Sequence, residues 1–210
     1  MVLSKQFKAI EMHLDKYFNK NKEIAVFHEI VSPYFHLDVY WIKSTKYRNY
    51  TVLMTNGISS ISLEIPEKQC SKYIELCILL PPEWDLKDDN WRKPENYWPI
   101  ELIKNIGCLP AMNNTWLGYS HTIQLDEPIG NTQFVGAVLL KSISLPIKFQ
   151  RIKFGTFFEK NAIELFLLYP LFEDEIELVR NKGIDELLKL FEENNLTDIV
   201  DVNRTSVCKK

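Results

Sequence analysis

The sequence predicts a single α/β domain of the α+β type, on three observations. Segments with the two-residue alternation of strands fill 34–60 as a hairpin and recur as apolar runs near 73–80, 134–140 and 163–169. Segments spaced like one face of a helix lie at the N-terminus, after Pro94 and over 172–191. At 210 residues and 46% hydrophobic, the chain can bury one good core, whereas two domains would each be small.

The elements follow in order. Ser4 can cap a helix whose Phe7, Ile10, Leu14, Tyr17 and Phe18 share a face, a docked N-terminal helix within 1–24. Ile24 to Ile30 is a short strand candidate. In the stretch from Tyr34, residues Phe35, Leu37, Val39 and Trp41 fall on one face and His36, Asp38, Tyr40 and Ile42 on the other. A His and an Asp therefore stand side by side. A polar turn leads to a second strand, Tyr50 to Thr55, which leaves through Asn56 and Gly57, where Gly can take positive φ.

Tyr73 to Leu80 is apolar on both faces apart from Glu75 and stops at Pro81-Pro82, as a central strand covered on both sides would. Pro94 and Pro99 fall in the first turn of a helix carrying Trp98, Leu102, Ile103 and Ile106, with Gly107 closing it. Asn113 to Ile123 reads as a polar loop anchored by Trp116, turned at Gly118 and presenting His121. Gln124 to Gln133 is irregular. Phe134 to Leu140 and Ile152 to Phe158 are strand-like, joined through Pro146, and Ile163 to Tyr169 is an apolar strand ended by Pro170. Two short helices follow, with Gly183 as the break between Phe172, Ile176, Val179 and Ile184, Leu187, Leu188, Phe191. The main domain spans 25–196, and the polar tail 197–210 reads as frayed.

Several of these segments carry a family resemblance. His-Leu-Asp-Val-Tyr at 36–40, Thr-Asn-Gly-Ile-Ser at 55–59, Tyr-Ile-Glu-Leu-Cys-Ile-Leu-Leu-Pro-Pro-Glu-Trp at 73–84, Trp-Pro-Ile at 98–100 and Asn-Thr-Trp-Leu-Gly-Tyr-Ser-His-Thr-Ile at 114–123 resemble, in order, the motifs of the suppressor of fused family. The resemblance covers about Ala25 to Phe191. It implies a central mixed, largely antiparallel sheet flanked by helices, and a compact bacterial type similar to immunity proteins. Such proteins are antitoxins that neutralise secreted toxins, often nucleases, by direct binding. Ser120 stands where the family usually has Gly before the histidine, and Ile74 where a small residue precedes the strand glutamate.

Composition narrows the function classes. A formal charge of −3 draws the chain neither to nucleic acid nor to anionic lipid. No apolar run approaches the ~20 residues of a membrane span, and no secretory leader is evident, so a cytoplasmic location is expected. Cys70, Cys77, Cys108 and Cys208 have neither Cys-x-x-Cys nor zinc-finger spacing, which favours reduced thiols. With only 7 glycines and no phosphate-binding fingerprint, no nucleotide cofactor is expected. Charge is uneven, because 172–201 holds ten acidic residues against three basic, a local balance of −7.

A hydrolytic site could be drawn from His36, Asp38, His121 and Ser59, but no Gly-x-Ser-x-Gly elbow surrounds a serine. A metal site from His36, Asp38 and His121 has suitable ligand types without a recognised spacing. The reading adopted is therefore non-enzymatic. His36, Asp38, Thr55, Gly57, Ser59, Glu75, Trp116, Gly118 and His121 are expected to brace loops, and Glu173, Asp174, Glu177, Glu192 and Glu193 to offer an anionic surface to a basic partner. The expected function is stoichiometric neutralisation of a cognate toxin by a monomer or weak homodimer. A regulatory peptide-binding module and a hydrolase are the second and third readings.

Overall fold

The computed structural model describes residues 4–18, 23–28, 35–63, 65, 71–155 and 161–209. Among them, eight strands form one sheet in the order β1-β2-β3-β4-β8-β6-β5, with β7 also paired to β8. The strands are β1 Ile24–Phe27, β2 Asp38–Ile42, β3 Thr51–Asn56, β4 Ile74–Leu80, β5 Thr122–Gln124, β6 Gly136–Leu140, β7 Arg151–Phe154 and β8 Asn161–Leu171. All neighbours run antiparallel except β4 and β8, so the sheet is mixed and largely antiparallel.

Side-chain alternation splits the core in two. Val39, Trp41, Leu53, Leu76, Ile78, Leu139 and Leu168 face α2 (Pro94–Asn113), whose Trp98, Leu102, Ile103 and Ile106 cover that side. Tyr40, Ile42, Val52, Met54, Cys77, Leu79, Val138 and Leu167 face α1 (Lys5–Tyr17), α3 (Glu173–Lys182) and α4 (Ile184–Glu193). Because both faces are covered, β2, β3 and β4 are buried along their whole length. The α1 cap is the expected one, with Ser4 Oγ accepting from the Phe7 amide at 3.1 Å.

Four expectations change. First, α2 begins at Pro94, carries Pro99 beyond its first turn, and continues through Gly107 and Pro110 to Asn113, ending on Asn114 in the left-handed conformation (φ 47°). Gly107 is a packing residue instead of a stop, since a Cβ there would lie 2.9 Å from Ile58 Cδ1. Second, β8 runs through Pro170 to Leu171, pairing Ala137 with Pro170, and its Glu164 meets Lys141 at 2.7 Å. Third, β5 occupies the end of the expected 113–123 loop.

The fourth concerns the tail, which is docked rather than frayed. Val200 and Ser206 are buried, and Asp198 accepts from the Ile143 and Ser144 amides at 2.9 and 3.0 Å and from the hydroxyls of Ser142 and Ser144. Parts of three expected elements, at Ile30, Tyr34 and 156–158, and also Cys70, lie outside the described residues.

Candidate functional site

The signature residues of the hairpin converge on Glu75. This carboxyl is fully buried near the start of β4, two residues before Cys77, which pairs with Met54 of β3, so it reaches the turn that leaves β3. The Thr55 hydroxyl donates to Oε2 at 2.6 Å. The Gly57 and Ser59 amides donate to Oε1, each at 3.0 Å, and the Ser59 hydroxyl donates to the same oxygen at 2.7 Å. Burial pushes the Glu75 pKa above the ordinary carboxylate range, opposed by these four hydrogen bonds.

The turn is built to receive the carboxylate. Gly57 has φ 149°, and a Cβ there would lie 2.1 Å from the His36 carbonyl oxygen, so a side chain is excluded on both counts. A single 3-10 turn follows, Ile58–Ser60, which aims its free N-terminal amides at Oε1. Ile58 is fully buried against Gly107 of α2, tying the turn to the helix behind it. With its hydroxyl given to Glu75 and 1% exposed, Ser59 is a structural donor in this arrangement.

His36 and Asp38 meet as the alternation implies, with His36 Nε2 at 3.0 Å from Asp38 Oδ1. A residue that sequence reasoning missed joins them, His28, whose Nδ1 lies 3.1 Å from the same oxygen. The signal was available only through register. Phe27 pairs with Val39, which sets His28, the residue after β1, across from Asp38.

Trp116, Gly118 and His121 form a separate group at the other edge of the sheet. The rings of Trp116 and His121 are 4.2 Å apart, and a Cβ on Gly118 would strike the Trp116 ring at 2.7 Å. Ser120, in the usual glycine position, holds φ 65°, and its amide bonds the Leu139 carbonyl at 2.8 Å. Burial lowers the His121 pKa, while a hydrogen bond to the Trp116 carbonyl raises it. Five strand spacings separate β2 from β5, roughly 24 Å. His121 therefore packs within its own loop, against Trp116, and does not join His36 and Asp38.

The acidic end divides. Glu173, Glu177, Glu192 and Glu193 are exposed and Asp174 is half-buried. Two of the ten acids counted there face inward. Asp198 pins the 142–145 loop, and Glu175 pairs with Arg204, which lies just outside the counted stretch, at 2.6 Å. The surface is thus less anionic than the sequence balance. Glu192 also lines a groove of about 480 Å³ with Tyr119, Ile143, Leu188 and Phe191, where Ile143 is 79% exposed. No helix of the described residues is long and apolar enough to cross a membrane.

Comparison with known proteins gives consistent matches. Residues 34–205 match the family model described as Suppressor of fused protein (SUFU). An uncharacterised protein of Ureaplasma parvum serovar 3 is 26% identical over 174 residues, covering 81% of this chain and 80% of that protein. Among solved structures, a putative SUFU homolog from Neisseria gonorrhoeae superposes with a TM-score of 0.64 at 16% identity, covering 96% of each chain. A Sufu–Fu complex gives a TM-score of 0.67 at 17% identity, covering 97% of this chain and 92% of that one. Drosophila Suppressor of Fused gives 0.67 at 16% identity, and this chain spans 51% of it. At these identities the structural matches speak for the fold.

Proposed function

The chain belongs to the suppressor of fused family, and from that premise we propose that it is a protein-binding module whose partner is a cognate toxin, neutralised by stoichiometric binding. The observation that carries this reading is the state of the signature carboxylate. Glu75 is fully buried and takes four hydrogen bonds from Thr55, Gly57 and Ser59. A group so engaged holds a turn in place and has no free geometry for general acid or base work. The crystallisation of one structural relative as a Sufu–Fu complex supports protein binding as the family's mode of action.

The toxin reading rests on the resemblance of the chain's motifs to those of immunity proteins. A regulatory peptide-binding module is the second reading, favoured by the same complex. Co-expression with the product of the adjacent gene separates them: survival of the host and co-purification of the pair are expected for an immunity protein. Failure to bind that product would remove the toxin reading.

The partner surface in this proposal is the groove beside α4, where apolar Tyr119, Ile143 and Leu188 meet Glu192. Glu192 and Glu193 stand at the C-terminal end of their helix, against its dipole, and Lys189 approaches Glu193 at 3.9 Å. Neutralising both as Gln should slow association severalfold at low salt and flatten its salt dependence. Stability should stay or rise slightly. Unchanged association rates in a stopped-flow comparison would return this face to an ordinary solvated helix surface.

A further inference from the structure

We propose that His28, His36 and Asp38 form a binding site for a divalent transition cation of the zinc class. The site follows from strand geometry. His36 and Asp38 are two residues apart along an extended segment and so share a face, and the β1–β2 register sets His28 across from Asp38. Three side chains of ligand type thus meet on one face of the hairpin, close to the start of α1, where the His36 and Phe7 ring centroids are 5.8 Å apart.

The distances suit a hydrogen bond and a shared ion alike, and the alignment of the rings separates the two. His28 Nδ1 and His36 Nε2 lie 3.1 and 3.0 Å from Asp38 Oδ1, and the three ligand atoms fall within 4.8 Å of one another. Ligands held at about 2.0 to 2.1 Å around a tetrahedral zinc ion stand roughly 3.3 Å apart. Yet Asp38 is 2% exposed, and its Oδ1 has no hydrogen-bond partner despite two ring nitrogens at that range. The imidazoles approach this oxygen without aligning an N–H on it. Ligand atoms that converge on a common point between them have this geometry, and an ion there would satisfy a buried oxygen that is otherwise unsatisfied.

The ligand set selects the ion class. Two imidazoles and one carboxylate suit zinc and its neighbours, whereas magnesium and calcium favour all-oxygen shells. Three protein ligands leave a tetrahedral ion one further position for water or another ligand. Among the described residues no other group of three or more His, Cys, Asp and Glu side chains converges in this way. His13 is engaged elsewhere, its Nε2 lying 3.0 Å from the Phe149 carbonyl oxygen.

The test is zinc titration of the full chain by competition with a chromophoric chelator, repeated with cobalt(II) to read ligand-field absorption. One equivalent is expected to bind wild type. His28→Ala, at an exposed position, should weaken binding at least roughly tenfold with an unchanged circular dichroism spectrum. His36→Ala should do the same. No saturable binding by wild type would overturn the proposal, as would undiminished, wild-type affinity in both His variants, which would place the ion at other residues. Intense thiolate-to-cobalt charge-transfer bands would also overturn it, because they would assign the ion to a cysteine.

Discussion

Arg204→Ala is expected to lower the free energy of unfolding by about 3 to 5 kcal/mol, the scale for stranding one partner of a buried ion pair. Arg204 and Glu175 have side-chain exposures of 3% and 0% and form a two-pronged contact, Nη1 to Oε1 at 2.6 Å and Nη2 to Oε2 at 2.7 Å. The guanidinium also donates to the Pro170 carbonyl at 2.9 Å and lies 4.6 Å from the Phe172 ring centroid and 5.1 Å from that of Phe134. Glu175 in turn accepts from the Phe172 amide, at the start of α3, and from the Val207 amide in the tail, each at 3.1 Å.

Removing Arg204 leaves a carboxylate in the interior with, among the described residues, these two amides as its remaining donors, and releases the tail as well. Urea unfolding measures the loss, and faster amide exchange at 205–208 should accompany it. Pairing Arg204→Met with Glu175→Gln should recover part of the loss, since an unpaired buried charge is the main penalty. A loss under about 1 kcal/mol for Arg204→Ala would mean that the tail is held by other contacts.

Glu75→Ala is the second large effect, with an expected loss of at least about 3 kcal/mol. Four donors, the Thr55 and Ser59 hydroxyls and the Gly57 and Ser59 amides, would lose their acceptor in a dry site, at roughly 1 to 3 kcal/mol each before water or relaxation offsets some of it. Glu75→Gln keeps the volume and allows a check on pH. Since the folded pKa of Glu75 is raised, its titration contributes stability that is full below the unfolded carboxylate range and is lost as pH rises through the folded value. Other carboxylates titrate alike in both proteins. The stability of wild type relative to Glu75→Gln should therefore rise on acidification, and a relative fall would contradict the raised pKa.

How much of this could be read from the sequence depends on whether a feature has a period. The hairpin was legible because both of its faces are buried, so Leu37, Val39 and Trp41 separate cleanly from Tyr40 and Ile42. Glu75 stood out as the one carboxylate in an apolar run, and its partners Thr55, Gly57 and Ser59 lay in the neighbouring motif.

The Arg204 clasp and the Asp198 loop clamp were not legible, since single side chains there reach elements 29 and 56 residues away with no repeating pattern. A polar tail held by such contacts has the same composition as one that frays. His28 was hidden for a related reason: its partner is set by the register across β1 and β2, which the intervening residues do not reveal. Gly107 was read as a helix stop because its local propensity is poor, while its actual constraint is the contact with Ile58.

Stoichiometric binding without turnover, on a scaffold set by Glu75, is the proposed action of this chain. It is tested most directly by titrating the activity of the adjacent gene's purified product against this protein. Inhibition should be complete at one equivalent, the partner should keep its mass, and its activity should return when the complex is dissociated. Loss of activity at trace amounts of this protein, with a covalently altered partner, would contradict the account.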